Sequence, residues 1–463
     1  MLHNMMYYNG CEGVFVGVGI LEKLAIRNFF TIEKFDWDIK GFNILTGGMG
    51  SGKSLAIKLL YFCEQIFHKT IFSEPNLNKD KLSKEKFFNT VEEHFCQIFS
   101  SKNKEKDFTN LIIKYEYIFY SGDDSAPTLF DQPNYMKFDL SAEWNKETKK
   151  ITWFSDYISS RLEKWQTFFN AEKTPDLLDN IKNSIYGLIL ADFQNSFPIA
   201  SMFIPASRAI IAMTNSFSSR DQFINSFLRL KNFALSFDNI SNDVVNNILQ
   251  INNISINENN EPVFELKDGR IITSLELSSG QQELLYLLLL INHLDETIFR
   301  YGESVSVFIE EPCAHLFPKE QKETMEFIIS YFSSLQENKE NEPGHRFFIS
   351  THSPYILNTI NNIIEKYRLI NITNKINDKK VKSEILEKLN NFTFPDLFIN
   401  NVSAYMIGDD RNVHSMINNE EEEKYIYSDV INRISEVIQS DSENLITIDC
   451  SLKDYFKNKV GSI

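Results

Sequence analysis

The chain has 463 residues, with 47 basic and 63 acidic side chains and a formal net charge of −16. It is 43% hydrophobic and 24% charged, which excludes wholesale disorder; at roughly 100–200 residues per domain it has room for several compact units. The acidic balance argues against a protein that coats nucleic acid non-specifically, since basic side chains supply most of that affinity.

In chain order, residues 1–12 hold no Lys or Arg, so the Gly/Val-rich stretch 13–21 is not expected to act as a secretory leader. Strands are predicted at Leu24–Phe30, Phe35–Ile39 and Phe42–Thr46, then a Gly-rich turn and an apolar helix over Lys53–Phe67. Residues 75–107 are charged and Asn-rich, with Lys79, Lys81, Lys84 and Lys86 clustered, and read as a solvated insertion. Leu111–Tyr120 and Met136–Trp153 alternate as strands do, and 157–190 and 218–252 read as helical. Phe203–Pro205 reads as a short strand, and Asp268-Gly269 between apolar runs predicts a hairpin over Pro262–Thr273. A buried helix is predicted at Leu284–Leu294. Its core, Leu284–Ile291, is the longest apolar run at eight residues, where a membrane span needs about 20. Ser304–Ile309, Lys319–Leu335 and Arg346–Ser350 form a strand–helix–strand unit of the parallel-sheet kind. Beyond the Lys-rich stretch 364–392, a hairpin is predicted from Ala404–Ile407 and Val413–Ile417 around Gly408-Asp409-Asp410. An acidic run at Glu420–Glu423 and a last helix near 428–439 follow. The five cysteines, at 11, 63, 96, 313 and 450, form no CxxC pair, so a reduced cytoplasmic protein without a zinc framework is expected.

Four patterns carry chemistry. Gly47-Gly48-Met49-Gly50-Ser51-Gly52-Lys53-Ser54 fits GxxxxGK[ST] between a strand and a helix. Backbone N–H groups freed by Gly47, Gly50 and Gly52, together with Ser51, would curl round phosphates. Lys53 would reach the β- and γ-phosphates, and the Ser54 hydroxyl would ligate Mg²⁺. Glu310-Glu311 closes the apolar run Val305–Ile309. One carboxylate suits a metal held through water and the other suits orienting a water for phosphoryl transfer. Leu277-Ser278-Ser279-Gly280-Gln281-Gln282-Glu283 precedes an apolar helix, an anion-competent N-terminus that also reads as a capping box of Ser278 or Ser279 with Gln282 or Glu283. His352 follows the strand Phe348-Ile349-Ser350, where it can sense a γ-phosphate or serve an ordinary structural role.

In this order the four patterns resemble the ATP-binding-cassette (ABC) superfamily of ATPases. Glu310 stands 30 positions after Gly280 and His352 stands 41 positions after Glu311, spacings normal for that family. The resemblance implies an α/β fold: a P-loop head of mixed sheet and helices carrying a helical and β insertion. It implies ATP and Mg²⁺ as cofactors, Glu310 with Ser54 as metal ligands, Glu311 as catalytic base and His352 as γ-phosphate sensor. Ser278, Gly280 and Gln281 would act as a signature reaching ATP held by a second copy, in a homodimer or higher oligomer.

Leu24–Phe29 followed by Gly41–Gly47 is similar to the opening of SMC, RecF and overcoming-lysogenisation-defect (OLD) type ATPases. Glu310-Glu311-Pro312, Thr351–Tyr355 and Phe203–Arg208 resemble the OLD-like group. Met49 stands where the loop usually has Asn, and Cys313 and Phe317 where Glu and His are usual; the Q-loop glutamine is left between Gln97 and Gln194. The 223 residues between Ser54 and Ser278 suit a compact insertion better than a transporter subunit or a long coiled coil. The group implies a role in bacterial anti-phage defence, regulating a separately encoded nuclease or toxin. A RecF- or SMC-like DNA-clamping ATPase and an OLD-type nuclease are the alternatives. No toprim nuclease is expected in the 111 residues after His352, because a hairpin turn accounts for Asp409 and Asp410. Nucleic acid remains a candidate partner through Lys366–Lys388, which mixed charge reads more simply as a solvated face; no membrane partner is expected. The expected division is an N-terminal ATPase part at 1–75, an insertion and β-rich part at 76–195, the signature, acidic strand and histidine at 196–360, and an extension at 361–463.

Overall fold

The structure is a computed structural model and describes residues 19–72, 77–99, 107–120, 135–171, 177–193, 197–198, 200–206, 243–258, 262–292, 304–337, 345–374, 379–389, 401–408 and 410–417. The chain divides into two compact units, Met1–His352 with Asn391–Ser415, and Ser353–Asn390 with Met416–Ile463. Among the described residues no helix is long and apolar enough to cross a membrane.

Among the described residues the first unit holds three sheets, two large and one small. Strands β1 (Gly19–Phe29), β2 (Ile32–Ile39) and β3 (Phe42–Gly47) come first, then helix α1 (Lys53–Glu64). After a 3-10 turn at Lys79–Leu82 come α2 (Lys84–Ile98), β4 (Ile112–Tyr120), β5 (Tyr135–Asn145) and β6 (Lys150–Phe154). The antiparallel sheet has the order β2-β1-β4-β5-β6. Its β2 alternates buried Phe35, Trp37 and Ile39 with exposed Asp36 and Asp38, the pattern of a sheet with one wet face.

Helices α3 (Asp156–Ala171) and α4 (Leu177–Asp192) lead to β7 (Ala200–Ile204). The short helix α5 (Asp243–Ile248) leads to β8 (Ile251–Ile256), β9 (Pro262–Leu266) and β10 (Ile271–Thr273), a three-stranded antiparallel sheet. Helix α6 (Ser279–Asn292), β11 (Val305–Glu310), α7 (Pro318–Glu337) and β12 (Arg346–Thr351) follow, and β13 (Val402–Ile407) and β14 (Val413–Ser415) end the unit. The core sheet has the order β14-β13-β3-β12-β11-β7, with β13, β3, β12, β11 and β7 parallel. Strands β11 and β12 are buried along their whole length, which is why they read as apolar runs without alternation.

Beyond its first turn helix α1 is buried on most sides, which is why it reads as apolar apart from Lys58 and Glu64. Tyr61 stacks edge-on to Phe203 and Phe308 of the core sheet, while Phe62 meets Phe95 and Trp153 of α2 and β6. Across the two sheets Trp37 meets Phe348 edge-on. A buried polar knot sits in the same layer. Arg346 of β12 pairs with Glu22 of β1, Tyr115 donates to Glu22 at 2.7 Å, and Glu64 of α1 accepts from Ser201 at 2.7 Å and Ser306 at 3.0 Å. The second unit contains α8 (Pro354–Asn374) and α9 (Lys379–Lys388), joined by Lys382 Nζ donating to the Asn374 carbonyl at 3.2 Å.

Several expectations change in detail. The 75–107 stretch is not merely solvated: α2 buries Phe87, Phe88, Val91 and Phe95 in the core while Lys84 and Lys86 stay exposed. The helical reading of 157–190 resolves into α3 and α4. Of the predicted helix 218–252, residues 243–248 are helical and 251–256 form a strand, whose Ile251 and Ile254 pack with Phe264 in the small sheet. Residues 249–250 form a turn, while 218–242, 293–294, the acidic run at 420–423 and the helix near 428–439 lie outside the described residues. The hairpin at 268–269 is present, with Gly269 at φ 82° and its N–H donating to the Leu266 carbonyl at 2.9 Å.

Candidate active site

The Gly-rich loop runs from the end of β3 to the start of α1. Gly47 adopts φ 145° and Gly52 φ 112°, and neither position has room for a side chain. A Cβ on Gly47 would lie 2.6 Å from the Ile407 carbonyl oxygen, and one on Gly52 would lie 2.7 Å from Thr31 Oγ1. No side chain caps the N-terminus of α1, so its first N–H groups face the loop, a ready anion site. Ser51 Oγ is buried without a hydrogen-bond partner, and the Ser54 side chain is at the surface. Lys53 is buried and donates to the carbonyls of Gly47 and Gly48, each at 2.9 Å. Burial holds its pKa below the ordinary lysine value, and the charge of Glu311 opposes that shift. These residues fit a polyphosphate: a cation folded onto its own loop, uncapped N–H groups and an orphaned hydroxyl.

The acidic pair lies at the end of β11, across β12 from the Gly-rich loop, since β3, β12 and β11 are consecutive in the sheet. Glu310 is buried; its Oε2 accepts the Ala206 N–H at 3.3 Å and its Oε1 lies 3.5 Å from Lys58 Nζ of α1. Glu311 turns out of the strand at φ 44°, donating its N–H to the Ser350 carbonyl at 2.8 Å. Its Oε2 accepts the His352 N–H at 3.2 Å and lies 2.9 Å from His352 Nδ1. The His352 side chain is 58% exposed and can turn toward a ligand. Lys53, Glu310, Glu311 and His352 thus share the carboxyl ends of three adjacent parallel strands, where open α/β sheets bind ligands. Ser54, with Glu310, is a donor set of hard oxygens suited to Mg²⁺.

The residues 278–281 form a separate station. Ser278 Oγ and N both donate to Gln281 Oε1, at 2.8 and 2.9 Å, and the Gln281 N–H donates back to Ser278 Oγ at 3.3 Å. The capping partner is therefore Gln281, not Gln282 or Glu283 as expected. Gln282 is buried and donates to the carbonyls of Ser274 and Leu277, at 3.0 and 3.1 Å. Gly280 abuts Leu316, whose Cδ2 would lie 2.9 Å from a Cβ placed there. None of the bonds of Ser278 and Gln281 reaches the phosphate loop.

Of the two Q-loop candidates, Gln97 is an exposed residue near the end of α2 and Gln194 lies outside the described residues. Asp409 also lies outside them. Asp410 accepts the Asn412 N–H at 3.1 Å and faces His414 Nε2 at 3.1 Å, the bonding of a hairpin turn. The sequence reading missed Lys58 and Thr31. Lys58 sits one turn beyond Ser54 and carried a weak signal, a cation on the loop-facing helix; Thr31 carried none.

Residues 170–357 match the family model of the AAA ATPase domain, a stretch that holds Ser278–Gln281, Glu310, Glu311 and His352 and leaves Gly47–Ser54 outside. The chain carries an ATPase domain. It is an ATP-hydrolysing, nucleotide-binding enzyme, and its Gly-rich loop stands on a parallel sheet beside an antiparallel one in a mixed α/β fold. No curated protein matches the chain in sequence. Among solved structures it is similar to an SMC head bound to the C-winged helix domain of ScpA, at 12% identity and TM-score 0.37, over 73% of this chain and 91% of that one. It is also similar to the SMC head domain from Thermotoga maritima, at 12% identity and TM-score 0.34, over 73% of this chain and 91% of that one.

Proposed function

We propose that this ATPase holds ATP and Mg²⁺ at Gly47–Ser54 and Glu310, and hydrolyses ATP with Glu311 as base. The observation that carries the reading is the convergence of Lys53, Glu310, Glu311 and His352 at the ends of β3, β11 and β12. Lys53 exchanges the Gly47 and Gly48 carbonyls for phosphate oxygens. Ser54 and Glu310 hold Mg²⁺, which supplies charge neutralisation. Glu311 takes a proton from the attacking water, and His352, already bonded to Glu311, faces the γ-phosphate.

The second half of the reading is assembly. Ser278, Gly280 and Gln281 cover the nucleotide of a second copy, in a homodimer or larger oligomer. Exposed apolar side chains at both stations support this: Met49 on the loop is 95% exposed, and Phe317 and Leu275 near the start of α6 are 79% and 65% exposed. Through assembly the cytoplasmic enzyme controls a separately encoded effector, a nuclease or toxin, in anti-phage defence; that role rests on the OLD-like residue pattern.

Ser278→Arg tests the assembly. With ATP and Glu311→Gln to hold the closed state, light scattering gives an oligomer that Ser278→Arg abolishes while leaving ATP binding intact. The same oligomer in both proteins refutes the trans site. Hydrolysis stimulated by duplex DNA would move the reading to a RecF- or SMC-like DNA-clamping ATPase. Cleavage of DNA by the pure chain, lost on Asp410→Ala, would move it to a nuclease.

A further inference from the structure

The phosphate loop is braced by a part of the chain remote in sequence. The turn between β1 and β2, residues 29–32, touches the loop directly: Thr31 Oγ1 donates to the Ser51 carbonyl at 3.1 Å, and Thr31 and Ile32 fill the space beside Gly52. That turn is itself strained, with Phe30 at φ 50°, so something must hold it. The holder is the tip of the β13–β14 hairpin. Arg411 Nη2 donates to the Phe30 carbonyl at 2.6 Å, and its Nε donates to the Thr31 carbonyl at 3.1 Å. The Arg411 carbonyl accepts the Glu33 N–H at 2.9 Å, and Asn412 bridges Lys34 beyond it. Strand β13 braces the other end of the loop as well, where Ile407 pairs with Gly47 and leaves no room for a Cβ.

We propose that Arg411 is a positioning residue for the phosphate loop, acting through the carbonyls of Phe30 and Thr31 and the Thr31–Ser51 bond. The proposal rests on the reading that Gly47–Ser54 holds the nucleotide. A guanidinium suits the task because its fixed fork serves two neighbouring carbonyls at once. With the turn held, Ser51 and Gly52 stay in the conformation that aims the α1 N–H groups at phosphate. With the turn released, the loop samples other conformations, and apparent affinity falls by the fraction that remains competent. Once ATP is bound the loop is the same, so turnover at saturation changes little.

The experiment measures ATP affinity by calorimetry, and kcat and KM separately, in full-length variants. Arg411→Ala and Thr31→Val each weaken ATP binding by about tenfold, the worth of one or two such hydrogen bonds, with kcat within about twofold of the parent. Thr31→Ser keeps the hydroxyl and restores affinity. The double variant Arg411→Ala with Thr31→Val is no worse than about the weaker single one, because both break one relay. Arg27→Ala removes comparable bonds in the same strand pair, to the Ile26 and Phe35 carbonyls, without touching the turn, and leaves ATP affinity unchanged. Parental affinity in both Arg411→Ala and Thr31→Val overturns the relay, as do multiplicative losses in the double variant or a fall of kcat alone. Lys53→Ala separates the two layers. If it weakens binding while neither Arg411→Ala nor Thr31→Val does, the relay alone fails. If Lys53→Ala binds ATP normally, the loop reading and the relay fail together.

Discussion

The two stations of the site are built in opposite ways. The phosphate loop is enclosed by its own chain: β3 below it, Ile407 against Gly47, Thr31 and Ile32 against Gly52, and Lys53 folded inward. Residues Ser278–Gln281 satisfy one another and stand beside exposed Leu275 and Phe317. On the proposed reading, a loop that holds a polyanion in one geometry is fixed in the core before the ligand arrives. On the same proposed reading, a helix start that meets another molecule is kept stable alone by its cap and presented outward. The difference predicts that substitutions at the first station act on one chain's binding and chemistry, while those at the second act on assembly.

The largest expected effect is at the enclosed station. Glu311→Gln keeps the shape and the bond to His352 N–H but loses the proton acceptor. Steady-state phosphate release should fall by roughly 10²–10⁴-fold, the usual worth of a positioned base, with ATP still bound. An unchanged rate would remove Glu311 from the chemistry. Lys53→Ala comes next. It deletes a charge-assisted contact worth about 1.5–3 kcal/mol, so ATP affinity in calorimetry should drop by roughly ten- to a hundredfold.

A matched pair of glycines sharpens the contrast further. Gly47→Ala places a Cβ 2.6 Å from a backbone oxygen at a φ of 145°, so both strain and clash are unavoidable. It should cost at least about 2 kcal/mol in urea unfolding and weaken ATP binding. Gly280→Ala meets the far end of the Leu316 side chain at 2.9 Å and the His315 carbonyl oxygen at an ordinary 3.5 Å, in a helical turn where Ala is the better residue. It should unfold within about 1 kcal/mol of the parent and bind ATP as the parent does. Equal destabilisation by the two would erase the distinction between stations.

Much of this was legible in the sequence because each element announces itself locally. The loop is given by glycines at fixed spacing before Lys53, and β11 and β12 by apolar runs closed by Glu310-Glu311 and His352. The cap at Ser278 was legible, and its partner was misplaced by one residue, since Gln281 and Gln282 differ only in which face of α6 they occupy. The rest depends on pairs far apart in the chain. Nothing near Arg411 says that it will grip Phe30 and Thr31, and the charged stretch 75–107 hides a buried face because its phenylalanines are spaced among lysines. Likewise Glu64 ends an apolar helix with no neighbour in sequence to explain it; its partners Ser201, Ser306 and Arg346 come from three other strands.

That buried glutamate supplies the smallest and last effect, and it again belongs to the enclosed station, because α1 begins at the loop and Glu64 ties it to β7 and β11. Burial pushes the Glu64 carboxyl up from an ordinary 4.5 to about 8; nearby Glu22 pushes the same way, and Arg346 together with the two serine hydroxyls offsets part of the shift. The folded protein therefore keeps a proton there that the unfolded chain has already released. That contribution to stability is complete below about pH 4.5 and is lost progressively as pH rises to about 8. Chemical denaturation at a series of pH values should show the decline, beside whatever other groups contribute. Glu64→Gln removes the titration and retains an oxygen for a serine hydroxyl, so the difference between parent and variant should vary with pH across that window and level off above it. A difference that is constant from pH 5 to 8 would mean that Glu64 is ionised in the fold throughout and that Arg346 balances both carboxylates. The layer beneath the loop would then be held by charge rather than by a retained proton.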